Sequence, residues 1–165
     1  MSKTFQTINP ATGAVLIERA YAGANEIETA LERAAQARAT WKRTSVPERA
    51  ALCRRAVQYF LDNTAAIAEE LTQQMGRPIR YSPLEITRGF QERAHYMIDR
   101  AEQALADISV ENSDAFRRFM RREPLGTVLV LAPWNYPYLT SVNAVIPALM
   151  AGNTVILKHA QQTPL

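Results

Sequence analysis

Apolar residues recur at helical spacing over much of the first hundred positions, and the polar residues between them mark where each helix starts and stops. Ile27, Ala30, Leu31, Ala34, Ala37 and Trp41 line one face of a helix, with Asn25 as its cap and Glu28 three residues on. Ser45-Val-Pro-Glu48 opens a second helix, whose apolar face is Ala50, Cys53, Val57, Phe60 and Leu61. A third runs from Asn63 through Ile67, Leu71 and Met75 and ends on Gly76, a residue free to take left-handed backbone. Ser82-Pro-Leu-Glu85 opens a fourth, predicted to continue unbroken to about Leu105. Ahead of the helices, residues 5–8 and 14–20 read as short strands around the turn Asn9-Pro-Ala-Thr-Gly13.

The helical period breaks after Leu105. Ile108, Val110, Phe116 and Phe119 flank Glu111-Asn-Ser-Asp114, which reads as a hairpin turn. Residues 128–132 are a continuous apolar run with β-branched members, the pattern of a parallel strand covered on both faces. Pro133 and Pro137 bracket a polar turn and stop that strand. Residues 138–151 predict a helix, with Pro147 inside it; Gly152-Asn153 ends it, and residues 154–157 form the next strand. Strand, helix and strand make a βαβ unit, so the class is α/β. In such sheets ligands bind beyond the carboxyl ends of the strands. Those ends carry Trp134-Asn135 and Lys158-His159.

Composition narrows the picture only a little. The 165 residues suit about one domain, and 47% apolar with 21% charged residues is ordinary for a globular protein. The net charge of +3 does not by itself imply nucleic acid. The basic run Arg117, Arg118, Arg121 and Arg122, interleaved with Phe119, is flanked by Glu111, Asp114 and Glu123. It is read as a solvated or subunit-contacting hairpin, with no nucleic-acid partner. One cysteine excludes an internal disulfide and suits a reducing compartment. There is no signal-peptide pattern and no apolar run of about 20 residues, so a cytoplasmic protein with no membrane partner is expected. No metal site is assigned. Cys53, on an apolar helix face, reads as inert, and His95 as a surface residue.

Four blocks carry a resemblance. Leu131-Ala-Pro-Trp-Asn-Tyr-Pro137 followed by Pro147-Ala-Leu-Met-Ala-Gly-Asn-Thr-Val-Ile-Leu-Lys158 closely resembles the aldehyde dehydrogenase superfamily. Ile8-Asn-Pro-Ala-Thr-Gly13 resembles its opening segment, and Met75-Gly-Arg-Pro78 its usual Met-Gly-Lys-Pro. The resemblance implies the N-terminal portion of a Rossmann-like cofactor domain of that type. Residues 1–106 would be its first strands and helices, 107–123 an oligomerisation hairpin, and 124–165 the first βαβ unit of the cofactor sheet. It implies NAD or NADP as cofactor, a small-molecule aldehyde substrate and a homo-oligomer, dimer or tetramer. The family's nucleophilic Cys and general-base Glu have no counterpart in the chain. These residues alone are therefore expected to be inactive, with oxidation performed by a longer parent. The alternative is a catalytically inactive truncated homologue acting as a binding or oligomerisation partner.

The resemblance also assigns residues. Asn135 on its own could be no more than a turn residue. By the family's pattern its side-chain amide is the donor that stabilises the developing oxyanion of a thiohemiacetal. Backbone around Ala132, Pro133 and Trp134 would touch the nicotinamide end of the cofactor. Tyr136 would line the substrate tunnel, with Leu139 and Thr140 as further tunnel residues. Lys158 would bond the adenosine ribose. Many relatives continue Lys-Pro-Ser-Glu where this chain has Lys158-His-Ala-Gln161. That Glu repels a 2′-phosphate in NAD-preferring members, so neutral Gln161 leaves NADP open. Lys-His-Ala is similar to a branch that oxidises succinate semialdehyde. The strand-to-helix turn lacks G-x-G-x-x-G, so an ordinary Rossmann pyrophosphate cradle is absent from this unit.

Overall fold

A computed structural model describes residues 3–111 and 113–165. Strands β1 (Thr4–Ile8) and β2 (Val15–Ala20) form an antiparallel hairpin. Its turn closes because the Asn9 side chain accepts from the Ala11 and Thr12 amides, at 2.9 and 3.3 Å, and because Gly13 takes φ +72°. Helices α1 (Ala24–Trp41), α2 (Val46–Asp62) and α3 (Thr64–Met75) follow. The α2 start is the predicted capping box: Glu48 N–H donates to Ser45 Oγ at 3.3 Å, and Ser45 N–H to Glu48 Oε2 at 2.7 Å. Gly76 ends α3 with φ +70°.

The cap of α1 lies earlier than predicted. Gly23 is the cap residue, and its amide donates to Glu26 Oε2 at 2.8 Å. Asn25 lies inside the helix because Glu26 reaches back to the backbone in its place. Only Ala34 of the predicted α1 face is buried; Ile27 and Leu31 remain about half exposed, at 52% and 46%.

The fourth helix also differs from the prediction. A 3-10 turn (Ile79–Tyr81) leads into α4 (Ser82–Leu84). A π-helical turn (Glu85–Phe90) follows, and only then α5 (Gln91–Leu105). Glu85 does not serve the local helix start. Ser82 Oγ instead lies 2.7 Å from Thr72 Oγ1, and Glu85 points to a helix far along the chain. π-helical turns are rare and often sit at functional positions.

Strands β3 (Ile108–Ser109) and β4 (Phe119–Met120) pair antiparallel, as the hairpin reading expects. The reversal is tighter than expected, since Ser113 bridges Phe116 and the turn falls on Asp114-Ala115; Asn112 lies outside the described residues. Arg121 forks onto Asp107 at 3.0 and 2.7 Å and covers the Phe119 ring, so this arginine is used within the hairpin.

β5 (Thr127–Leu131), α6 (Pro137–Met150) and β6 (Thr154–Lys158) form the predicted βαβ unit, and the two strands are parallel with Leu131 opposite Lys158. Gly126, at φ +137°, leads into β5, and its amide donates to Asn153 Oδ1 at 2.8 Å, tying the two strand starts together. The expectation of cover on both faces does not hold within the chain. Val130 is buried, but Leu129 and Leu131 are 62% and 68% exposed. The apolar run specifies two covered faces; the described residues supply cover for one.

The core is helical. Cys53 and Val57 of α2, Ile67 and Leu71 of α3, Ile86 and Phe90 of the π turn, Ala94 and Ile98 of α5, and Val142, Ile146 and Met150 of α6 form one buried cluster. Helix α6 therefore carries the pair β5–β6 on a rigid support, and the turn between β5 and α6 is anchored at its helical end.

Candidate functional site

The turn after β5 and the end of β6 meet. Ala132 N–H donates to the Lys158 carbonyl at 3.0 Å, continuing the parallel ladder one residue beyond the strands. This bond sets Ala132-Pro133-Trp134 beside Lys158 at the carboxyl edge of the sheet. Lys158 and His159 are exposed there.

Gln161 lies a little further on. Its carbonyl accepts from Thr7 Oγ1 at 2.6 Å, and its side-chain amide donates to Tyr21 Oη. Lys158, His159 and Gln161 share an open groove of ≈ 650 Å³ with Tyr21, Ile27 and Leu129. The groove combines an ammonium and an amide with apolar walls. That donor set fits a nucleotide, which offers hydroxyl and phosphate oxygens beside a flat base.

Trp134 and Asn135 are exposed. Among the described residues the Asn135 side chain has no hydrogen-bond partner, so its amide is free to donate outward. Its backbone is fixed instead: the Asn135 carbonyl accepts from Arg77 Nη2 at 2.7 Å. The Arg77 guanidinium lies 4.6 Å from the centre of the Tyr136 ring, so Tyr136 is stacked on a cation. Leu139 is half-buried, and a Cβ at Gly89 would overlap its Cδ1, so Leu139 packs on the π turn. Thr140 is exposed.

Two residues that sequence reasoning did not assign complete this arrangement. Glu85 has a side chain with 0% exposure and pairs with Arg77, Nη1 to Oε2, at 2.6 Å. Its other oxygen accepts from the Tyr138 and Leu139 amides at 2.9 and 3.1 Å. Those amides belong to the first turn of α6, whose own cap residue, Tyr136, makes no side-chain cap bond. Glu85 thus caps α6 from 53 residues away. The available signal was an acid between Leu84 and Ile86, in a stretch that the helical period would otherwise bury. Burial pushes the Tyr138 hydroxyl up to about 12, with the Glu70 and Glu85 carboxylates adding to the shift.

Cys53 is 3% exposed in the core, as its apolar face implies. Burial pushes its thiol up, and the Arg49 charge opposes this only in part. A thiol of that kind is a poor nucleophile. His95 is half-buried in α5 rather than fully exposed. Among the described residues no group of His, Cys, Asp and Glu could hold a metal ion, and no helix is long and apolar enough to cross a membrane.

A family model described as the aldehyde dehydrogenase family matches residues 1–165. The chain is 34% identical over 163 residues to 3-sulfolactaldehyde dehydrogenase of Pseudomonas putida, covering 99% of this chain and 33% of that protein. It is 34% identical over 167 residues to succinate-semialdehyde dehydrogenase [NADP(+)] of Deinococcus radiodurans, covering 98% of this chain and 34% of that protein. Among solved structures, succinic semialdehyde dehydrogenase from Streptococcus pyogenes in complex with NADP+ superposes with a TM-score of 0.87 at 27% identity, over 97% of this chain and 35% of that one. The chain spans about a third of the length of the relatives it matches.

Proposed function

This chain belongs to the aldehyde dehydrogenase family, and we propose that it serves as the amino-terminal third of an enzyme that oxidises an aldehyde to a carboxylic acid with NAD or NADP. The observation that carries this reading is the bond from Ala132 N–H to the Lys158 carbonyl. It brings both motif ends to one edge of the sheet, where α/β folds bind ligands. The open apolar face of β5, with Leu129 and Leu131 exposed, fits a sheet that continues in a larger enzyme.

In this reading Lys158 and Gln161 hold the adenosine ribose, and the backbone of Ala132, Pro133 and Trp134 borders the nicotinamide. The bound cofactor supplies a hydride acceptor. Asn135 offers its side-chain amide to the oxygen that becomes negative when a thiolate adds to the aldehyde. A fixed donor aimed at that oxygen is worth roughly 3 kcal/mol. Tyr136, stacked on Arg77, and Leu139 border the aldehyde. The hairpin of β3 and β4 joins a second copy of the enzyme, through an edge left open for pairing. Residues 1–106, 107–123 and 124–165 then act as support, subunit contact and cofactor edge.

The 165 residues by themselves should not oxidise aldehydes, because their one cysteine, Cys53, is buried. The purified chain with aldehyde and either cofactor should release no NADH or NADPH above background. Production abolished by Cys53→Ser would overturn this. The positive test is a graft that replaces the matching third of the Deinococcus radiodurans enzyme with this chain. The graft should form NADPH from succinate semialdehyde, whereas a folded, assembled graft that forms none contradicts the reading.

A further inference from the structure

A carboxylate with no exposed side-chain surface is costly to bury unless every oxygen is used. Glu85 meets that condition with three donors, none from its own helix turn: Arg77 Nη1 and the amides of Tyr138 and Leu139. Arg77 is 12% exposed at its side chain and divides its fork. One arm goes to Glu85 and the other to the Asn135 carbonyl, while its plane covers Tyr136. The two side chains therefore grip both ends of the 135–139 turn. Glu85 holds the helical end and Arg77 the strand end. The π turn presents Glu85 at this spot, and Gly89 within it lets Leu139 close onto the helix.

We propose that Arg77 and Glu85 are positioning residues for the Asn135 side chain, a two-residue lock that fixes where its amide points. This rests on the reading of Asn135 as oxyanion donor. The lock replaces what the turn lacks locally, since neither the Tyr136 cap residue nor the Asn135 side chain holds the backbone in place. An arginine suits the task because its planar fork makes two directed bonds and still stacks; a lysine ammonium can keep the charge pair but cannot reproduce the whole set.

The test separates the lock from the chemistry. In the 165-residue chain labelled with 5-fluorotryptophan, Trp134 reports the turn and Trp41 the rest of the fold. Arg77→Met should move the Trp134 fluorine resonance and leave Trp41 in place, and the Tyr138 and Leu139 amides should exchange about tenfold faster. Glu85→Gln should also move Trp134, because its NH2 group faces Arg77 and breaks that contact, while its carbonyl still accepts from the Tyr138 and Leu139 amides. Arg77→Lys should move Trp134 yet retain amide protection at Tyr138 and Leu139, since Glu85 remains paired. An unmoved Trp134 resonance in Arg77→Lys and Arg77→Met would overturn the lock.

In the grafted enzyme, Arg77→Lys should slow acylation about tenfold with the KM for cofactor unchanged. In an Asn135→Ala background it should have no further effect. Equal slowing in both backgrounds would show that Arg77 acts on something other than Asn135 and would also overturn the proposal. An Asn135→Ala graft that acylates at the parental rate would sink the oxyanion reading, while the fluorine and exchange results would still decide the lock.

Discussion

Asn135→Ala in the grafted enzyme should lower the rate of acylation by roughly a hundredfold, the cost of one donor to a developing oxyanion. The donor is exposed and has no hydrogen-bond partner among the described residues, so its loss leaves no buried group unpaired. Stability should therefore hardly change. Cofactor affinity should also stay within about twofold, because Lys158 and Gln161 lie in a groove that Asn135 does not line. Single-turnover kinetics with a pre-bound cofactor separate the two effects. A hundredfold slower chemical step at unchanged cofactor affinity is the expected pattern. An unchanged step would reduce Asn135 to a turn residue.

Gln161→Glu should shift the ratio of kcat/KM values toward NAD by roughly tenfold. The position shares a groove with Lys158, and its side chain is already tied to Tyr21 Oη. A carboxylate there can accept from the Tyr21 hydroxyl, reversing the direction of that bond, and so keep its place. It would add a strong acceptor for a ribose hydroxyl and a like charge against a 2′-phosphate. Both effects favour NAD. Steady-state kinetics with the two cofactors measure the shift. Strict use of one cofactor that the substitution leaves unaltered would mean that Gln161 does not face the ribose.

The parts of the fold legible in the sequence were those whose signals are local. Ser45 and Glu48 are three residues apart, and Gly76 ends its helix by its own backbone freedom, so both ends could be read directly. The βαβ unit was legible because two apolar runs and a helical period stand in order within about thirty residues. Short-range choices between equivalent groups were harder. Asn25 and Gly23 both suit a helix start, and Glu26 decided between them by bonding the Gly23 amide. The π turn was not legible at all: it is a shift in backbone bonding register, and Glu85–Phe90 has no composition that announces it.

The candidate site divides in the same way. Ala132 to Asn135 and Lys158 stand at strand ends, so their neighbourhood follows once the strands are placed in parallel. Arg77 and Glu85 reach the turn from 58 and 53 residues away. Glu85 also has a local rival role, as the partner of Ser82, and only the fold shows that it serves α6 instead. Tyr136 read as an aromatic that borders substrate, yet one face of its ring is taken by Arg77.

The measurement that bears most directly on the account is a crystal structure of the grafted enzyme with NADP+ bound. Lys158 Nζ should lie within hydrogen-bond distance of the adenosine ribose, Gln161 beside the 2′-phosphate, and the Asn135 amide should be directed at the point where the aldehyde oxygen sits over the catalytic thiol. A cofactor bound elsewhere, with Lys158 in solvent and Asn135 turned away from the thiol, would contradict it.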